Sequence, residues 1–443
     1  MLEIINSYLG GITVPILLIF CGVFFTVRLK FFYILHPIRL TRSLLQGSKN
    51  GISSISAVTL ALAGTLGVGN IVGVSSAISL GGFGAIFWMW MSAIVAMALK
   101  YAETVLAIVH RKQRADGSYI GGAMYYIHAF FNKLSLPRTG KLVSGIFAVC
   151  FMGCALTMGS MLQSSAISSA LDGVVGIPSA VTGTALALLT VAVIFRGQSR
   201  MLSVTSFLVP IMSAVYIILS LAVILKNLNG VGNAFYLIFS SAFSMRSAIG
   251  GIGGWGIMTA IRYGVMRGLI SNEAGCGTAP TAHSIASCEC PAKQGLWGIF
   301  EVFVDTVVLC TLTALAVILE YDSASLYDGD FMMMTVSAFS ASLGHFSEYL
   351  IALSVLCFGF ATVICWSHYG SVCVEYFTNR PIAVRLFYIA IACCVFLGAT
   401  LPSSTAWLLS DLLMGIMTVI NLVPVTFMWR TVYEETQILF NKK

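Results

Sequence analysis

The stretch AGTLGVGN, residues 63–70, lies between two apolar runs, ISAVTLAL (55–62) and IVGVSSAISL (71–80). The runs read as one membrane-buried helix, and the stretch between them reads as its break. Gly64, Gly67 and Gly69 fall within six positions, followed by polar Asn70. Each glycine in a helix interior costs about 1 kcal/mol relative to alanine. In lipid, irregular backbone survives only where it is buried in protein or lines a wet cavity. A break here therefore points to a surface built from backbone groups.

Composition sets the surroundings of that break. Hydrophobic residues make up 58% of the 443 and charged residues only 9%, against about 25% charged in soluble domains. Mean hydropathy is +0.93. Apolar runs of about 17–25 residues read as membrane-crossing helices. Eleven are expected, at 10–27, 54–81, 84–109, 143–171, 179–195, 203–225, 248–282, 295–319, 346–377, 382–400 and 404–428. The fold class is all-α and polytopic, in one transmembrane domain over 1–443. Residues 230–245 and the amphipathic piece AMYYIHAFF (123–131) read as interfacial helices. MLEIINSYLG at the start carries only Glu3 as a charge, so it lacks the basic n-region of a signal peptide.

Charge gives the orientation. Nineteen of the 24 Lys and Arg residues fall in loops that eleven spans place on one side, including Arg28, Lys30, Arg111, Arg114, Arg380 and Arg385. The positive-inside rule makes that side cytoplasmic, with the N-terminus outside and 429–443 a cytoplasmic tail. The net charge of +7 thus reflects topology and anionic lipid, and no basic tract with interleaved aromatics suggests nucleic acid. The absence of a eukaryotic targeting signal suits a bacterial inner membrane. Cys288 and Cys290 form a CxC near His283, without the second pair that a tetrahedral metal site needs.

Setting the span at 10–27 aside as an extra N-terminal helix, ten remain, in two sets of five: 54–225 and 248–428. Each set opens with an interrupted span. The second interruption is RGLISNEAGCGTAP, residues 267–280. Paired glycine-interrupted spans in matching positions of two halves mark a secondary transporter site. Five is odd, so the second set enters the membrane inverted. At the first break, free N–H groups and the helix dipole suit a carboxylate, while the carbonyls ending the first half-helix suit Na⁺ or an ammonium. Helix packing through Gly69, Gly73 and Ala77, spaced four apart, is the competing reading. Charges within spans imply pairing or function. Arg267 and Glu273 read as pairing or gating groups at the inner half, and Arg262 as a partner for Glu301 and Asp305. Lys100 and Glu103 read as a snorkelling pair at a helix end.

Long motifs carry a resemblance: GTLGVGNIVGVSSAISLGGFGAIFWMW (64–90), KYAETVLA (100–107), GGAMYYI (121–127), AIRYGVMRGLISNEAGCGTAPTAH (260–283), QGLWGIFEVFVDT (294–306) and WSHYG (366–370). Over nearly the whole chain it resembles the alanine/glycine:cation symporters. The resemblance implies a leucine-transporter-like fold of five plus five helices with one extra at the N-terminus. It also implies import of alanine or glycine, with serine or D-alanine as further candidates, coupled to Na⁺ through alternating access. It implies a substrate site at Thr65, Gly67, Gly69, Asn70, Gln163, Ile270 and Trp366, and a Na⁺ site at the carbonyls of Ala63 and Leu66 with the Thr362 hydroxyl. The chain departs from the family pattern at Val68, Ala123, Ser165, Ile270, Ala361 and His368. Ala361, beside Thr362, lacks a hydroxyl the family usually has. That leaves an H⁺-coupled or altered-specificity symporter of the same fold as the alternative.

Other classes lack their signatures. The six histidines form no HExxH pair and no GxSxG is present, so no enzyme and no cofactor beyond the coupling ion is expected. Inverted broken helices argue for alternating access rather than a channel, and no obligatory protein partner is implied.

Overall fold

Proline, glycine and short polar stretches divide the apolar chain into helices. The structure, a computed structural model, describes residues 13–35, 53–243, 256–288, 290–327 and 329–441. Helix α1 spans Val14–Arg28, with Pro15 in its first turn. Helices α2 (Ser54–Thr65) and α3 (Val72–Gly81) are the two halves of the first broken span, bent by 59°. Ser53 caps α2 by accepting from the Ser56 N–H at 3.0 Å. Then follow α4 (Gly84–His110), a two-residue hairpin (Lys112–Gln113 with Tyr119–Ile120), α5 (Ala123–Lys133), α6 (Pro137–Val175), α7 (Ser179–Ile194), α8 (Gln198–Lys226) and α9 (Leu228–Ala242). The second half holds α10 (Gly256–Asn272), α11 (Ala279–His283), α12 (Pro291–Leu319), α13 (Phe331–Leu343), α14 (Phe346–Phe377), α15 (Pro381–Thr400), α16 (Ser404–Phe427) and α17 (Trp429–Asn441).

Among the described residues, seven helices are long and apolar enough to cross a membrane: α4, α6, α8, α12, α14, α15 and α16. The α2–α3 pair passes the same test as one broken span. Helices α1, α7 and α13 are apolar but shorter. The surface is apolar too. Helix α8 exposes Phe207, Ile211, Ile218 and Leu225, a stripe that fits lipid rather than water. Residues 10–12, 244–245 and 248–255 of the expected segments lie outside the described residues.

Three features differ from the sequence reading. Helix α13 had no counterpart among the expected spans, because thirteen residues fall short of a bilayer crossing. Helix α5 does not simply lie along a surface, since Ala123, Met124, Tyr126 and Ile127 are fully buried against the bundle. Its aromatic side chains find protein rather than headgroups. Gly73 is not a packing contact among the described residues, because a methyl group there would meet none of their other atoms within 4 Å.

Two long helices position the breaks. Helix α14 packs along α2, and α4 packs along α10 and α12. Helices α6 and α12 each contain a π-helical segment, Thr157–Leu162 and Phe303–Cys310. Such widened turns re-aim side chains and are frequent at functional sites.

Candidate functional site

The first break opens at Leu66, whose ψ of 73° leaves the helix, and continues through Gly67 in extended conformation. The last carbonyls of α2 therefore lose their helical partners. One face of α14 meets them. The Thr362 hydroxyl donates to the Ala63 carbonyl at 2.8 Å and also reaches the Phe358 carbonyl at 3.0 Å. The Cys365 thiol lies 3.0 Å from the Leu60 carbonyl, and the Trp366 indole N–H donates to the Gly64 carbonyl at 3.4 Å. Residues 362, 365 and 366 share a helix face by their three- and four-residue spacing. Trp366 is fully buried, edge-on to Phe151, and Gly159 leaves room for it. A methyl group at 159 would lie 2.3 Å from the Trp366 Cβ.

Beyond the break the free groups are N–H donors. Gln163, following the π segment of α6, accepts from the Val68 N–H at 3.2 Å and donates to the Met158 carbonyl at 3.3 Å. Thr362 and Gln163 both close on Gly67, at the position a side chain would take. A methyl group there would sit 2.8 Å from the Thr362 Oγ1 and 3.0 Å from the Gln163 Oε1. Of the expected site residues, Ala63, Leu66, Gly67, Gln163, Thr362 and Trp366 thus meet at one buried place. The Thr65 hydroxyl donates back to the Ala61 carbonyl of its own helix at 3.3 Å.

Asn70 and Asp305 join the two halves. The Asn70 amide donates to the Asp305 carboxylate at 2.8 Å and to its backbone carbonyl at 3.1 Å. Asn70 Oδ1 is buried with no partner among the described residues. The other carboxylate oxygen accepts from Ser271 at 2.7 Å and Thr306 at 2.8 Å. Ile270 precedes Ser271 and is buried, and a methyl group at Gly69 would touch the Ser271 Cα at 3.4 Å. The two breaks therefore lie against each other.

The second break turns through left-handed backbone at Glu273 (φ 53°), Gly275 (φ 83°) and Gly277 (φ 78°). Helix α4 supplies its partners. Lys100 donates to the Asn272 carbonyl at 2.7 Å, while Glu103 accepts from the Gly275 and Gly277 N–H groups at 3.1 and 3.0 Å and from the Asn421 amide. A cation thus meets a helix C-terminus, and an anion meets a nest of N–H groups. Lys100 Nζ also stands 3.1 Å from Glu301, whose other oxygen meets His283 at 3.0 Å. Gln294 holds the far nitrogen of that imidazole at 2.9 Å. Glu273 accepts from Thr278 at 2.6 Å, and its second oxygen has no partner among the described residues.

This overturns two expectations. Lys100 and Glu103 are fully buried and cap opposite sides of the break instead of snorkelling together. The broken helix supplies the carbonyl and N–H groups that a buried ion pair requires. Arg262 does not pair with Glu301 or Asp305. It lies over the Tyr263 ring at 5.7 Å, and Arg267 lies over Trp407 at 5.2 Å with Asp411 nearby. Lys100 takes the place assigned to Arg262 because α4 lies directly along α12. Glu301 and Asp305, one turn apart in sequence, serve different partners, with the π segment starting between them. Cys365, Ser271 and His283 had not been singled out as site residues. The spacing of Cys365 from Thr362 and Trp366 was the available signal.

A profile of the sodium:alanine symporter family matches residues 1–443. The sodium/alanine symporter AgcS of Methanococcus maripaludis is 36% identical, covering 98% of this chain and 95% of its own. The probable sodium/glutamine symporter GlnT of Bacillus subtilis is 31% identical, covering 97% and 88%. A solved Na⁺-coupled sialic acid symporter in a substrate-bound outward-open state superposes with a TM-score of 0.59 at 13% identity, covering 95% and 86%. At that identity it shows the fold alone. The match along the whole length, together with a buried broken helix flanked by Gln163, Thr362 and Trp366, establishes that the chain belongs to the sodium:alanine symporter family and is a multi-pass membrane transporter rather than an enzyme.

Proposed function

We propose that the protein imports a small neutral amino acid, alanine or glycine first, by symport with Na⁺, and that both bind at the first break. The amino-acid carboxylate takes the N–H groups at Val68 and Gly69, where Gln163 now stands, at the positive end of α3. Asn70, whose Oδ1 has no partner among the described residues, accepts from the ammonium. Trp366 and Ile270 bound the side-chain space. Graded rather than absolute selectivity follows, since one methylene in an apolar pocket is worth about 1–3 kcal/mol.

Na⁺ is a hard cation that takes oxygen ligands. The Ala63 carbonyl and the Thr362 hydroxyl, 2.8 Å apart, supply two and the Leu66 carbonyl a third. Binding the ion replaces the hydrogen bond between the first two. Two five-helix sets of opposite orientation exchange outward- and inward-facing states. The Lys100, Glu273, Glu301 and Asp305 network spans the joint between them, and Arg267, over Trp407, is a separate gating group. The N-terminus outside, the C-terminus inside and a bacterial inner membrane complete the reading.

The observation that carries it is the conjunction, inside an apolar bundle, of the freed Ala63 carbonyl facing Thr362 with the freed Val68 N–H facing Gln163. The test is uptake of labelled alanine into proteoliposomes under an inward Na⁺ gradient or an inward H⁺ gradient at matched membrane potential. Accumulation driven by Na⁺ alone is expected. Accumulation driven by H⁺ alone would overturn the ion assignment and favour the alternative.

A further inference from the structure

Away from both breaks, a cavity of about 570 Å³ opens among the end of α7, the start of α8, the end of α14, the start of α15 and the hairpin loop. Three arginines line it, Arg114, Arg380 and Arg385, against one carboxylate, Glu375. Glu375 is taken up by Arg114 in an ion pair. Among the described residues no carboxylate pairs with Arg380 or Arg385, so the cavity holds two unbalanced positive charges.

The wall is also rich in unused donors. His368 is 4% exposed, and its Nε2 is buried with no partner among the described residues. Gln198 Nε2 is buried and likewise has no partner among the described residues. Both side chains line the cavity. Helices α8 and α15 begin there, at Gln198 and Pro381, and neither start carries a side-chain cap. Helix N-termini attract anions through free N–H groups and the dipole. Nothing in the transport site uses these groups.

We infer that this cavity binds a phosphate group, with Arg380 and Arg385 as its principal charges and His368 and Gln198 as neutral donors. Guanidinium groups match phosphate oxygens bidentately, which a simple basic surface does not do. The apolar side chains Phe195, Ile382, Leu386 and Ile389 are exposed on the neighbouring helices, where acyl chains would lie. The anionic lipid headgroup is therefore the source the surroundings favour, and soluble phosphate shares its chemistry. Basic pockets between membrane helices on the cytoplasmic side suit such headgroups. That side is assigned by the distribution of Lys and Arg and not by the transport reading.

The experiment uses the purified full-length protein in detergent, stripped of lipid. Native mass spectrometry measures binding of phosphatidylglycerol and of phosphatidylcholine, and thermal melting measures binding of inorganic phosphate. Wild type is compared with the double variant Arg380→Gln/Arg385→Gln and with Arg196→Gln/Arg200→Gln, which removes the same charge from just before α8 and from its first turn, at two residues that do not line the cavity. Phosphatidylglycerol should bind in preference to phosphatidylcholine, and the first double variant should weaken it roughly thirtyfold while the second has little effect. Phosphatidylglycerol binding without a response to inorganic phosphate identifies the lipid as the source. An Arg380/Arg385-dependent response to inorganic phosphate identifies a soluble one. Equal binding of both lipids without any response to phosphate, or equal weakening by the two double variants, overturns the inference.

Discussion

Gly67→Ala is the smallest change that presses on both halves of the proposed site. Gly67 has φ −122° and ψ −150°, a region alanine also adopts, so the effect is steric rather than torsional. The added methyl group lies 2.8 Å from the Thr362 hydroxyl and 3.0 Å from the Gln163 carbonyl oxygen. Both neighbours must retreat, and each is held by a bond that retreat breaks: Thr362 to Ala63 and Gln163 to Val68. Both bonds yield to the ligands in the loaded state, so the cost to binding is the overpacking there, about 1–3 kcal/mol. That corresponds to roughly 5- to 150-fold weaker coupled binding of amino acid and Na⁺. The assay is Na⁺-driven alanine uptake in proteoliposomes, with protein amount checked by gel filtration and immunoblot. Gly73→Ala is the control, because its methyl group meets nothing within 4 Å, and it should leave uptake within about twofold, inside the ±0.5 kcal/mol of an uncrowded substitution. Gly67→Ala with wild-type uptake and wild-type Na⁺ dependence would refute the reasoning.

Further outcomes follow from single contacts. Lys100→Met should lower thermal stability in detergent by about 3–5 kcal/mol, because Glu301 is then buried without its cation; adding Glu301→Gln should restore part of the loss, which melting curves of the single and double variants will show. Glu103→Gln should cost about 1.5–3 kcal/mol, since an amide cannot accept from Gly275, Gly277 and Asn421 together; the readout is melting temperature, with unchanged stability counting against the capping role. Asn70→Ala should cripple alanine uptake while leaving membrane insertion intact, because it removes both the Asp305 bond and the open Oδ1 acceptor; normal uptake would remove Asn70 from the site.

The breaks were legible because their signal is local. Gly64, Gly67, Gly69 and Asn70 weaken a helix wherever they stand, and the left-handed turns at Gly275 and Gly277 need glycine for their own backbone. Gln163, Thr362 and Trp366 were nameable through the family resemblance, and they do gather at Gly67 and α2. The partners of the charges were not legible. Lys100 meets Glu301 and Asn272 across more than 170 residues of chain, while spacing along the chain suggested Glu103, three residues away. Only the packing of α4 on α10 and α12 decides between them. The same holds for Asp305, where a π turn rather than the four-residue spacing from Glu301 sets the direction. Helix α13 was missed because its thirteen residues resemble a loop segment at membrane-span length scales.

Amino acid and Na⁺ sharing the first break must each tighten the other by the same factor. The most direct test is alanine affinity of the purified protein at low and high Na⁺, for wild type and Thr362→Val. Valine keeps the shape and removes the hydroxyl that faces the Ala63 carbonyl. The account predicts that Na⁺ tightens alanine binding in wild type, by about five- to 150-fold for a coupling of 1–3 kcal/mol, and that Thr362→Val abolishes most of that gain while leaving binding at low Na⁺ nearly unchanged. Alanine binding independent of Na⁺ in wild type, or an equal Na⁺ effect in Thr362→Val, would contradict it.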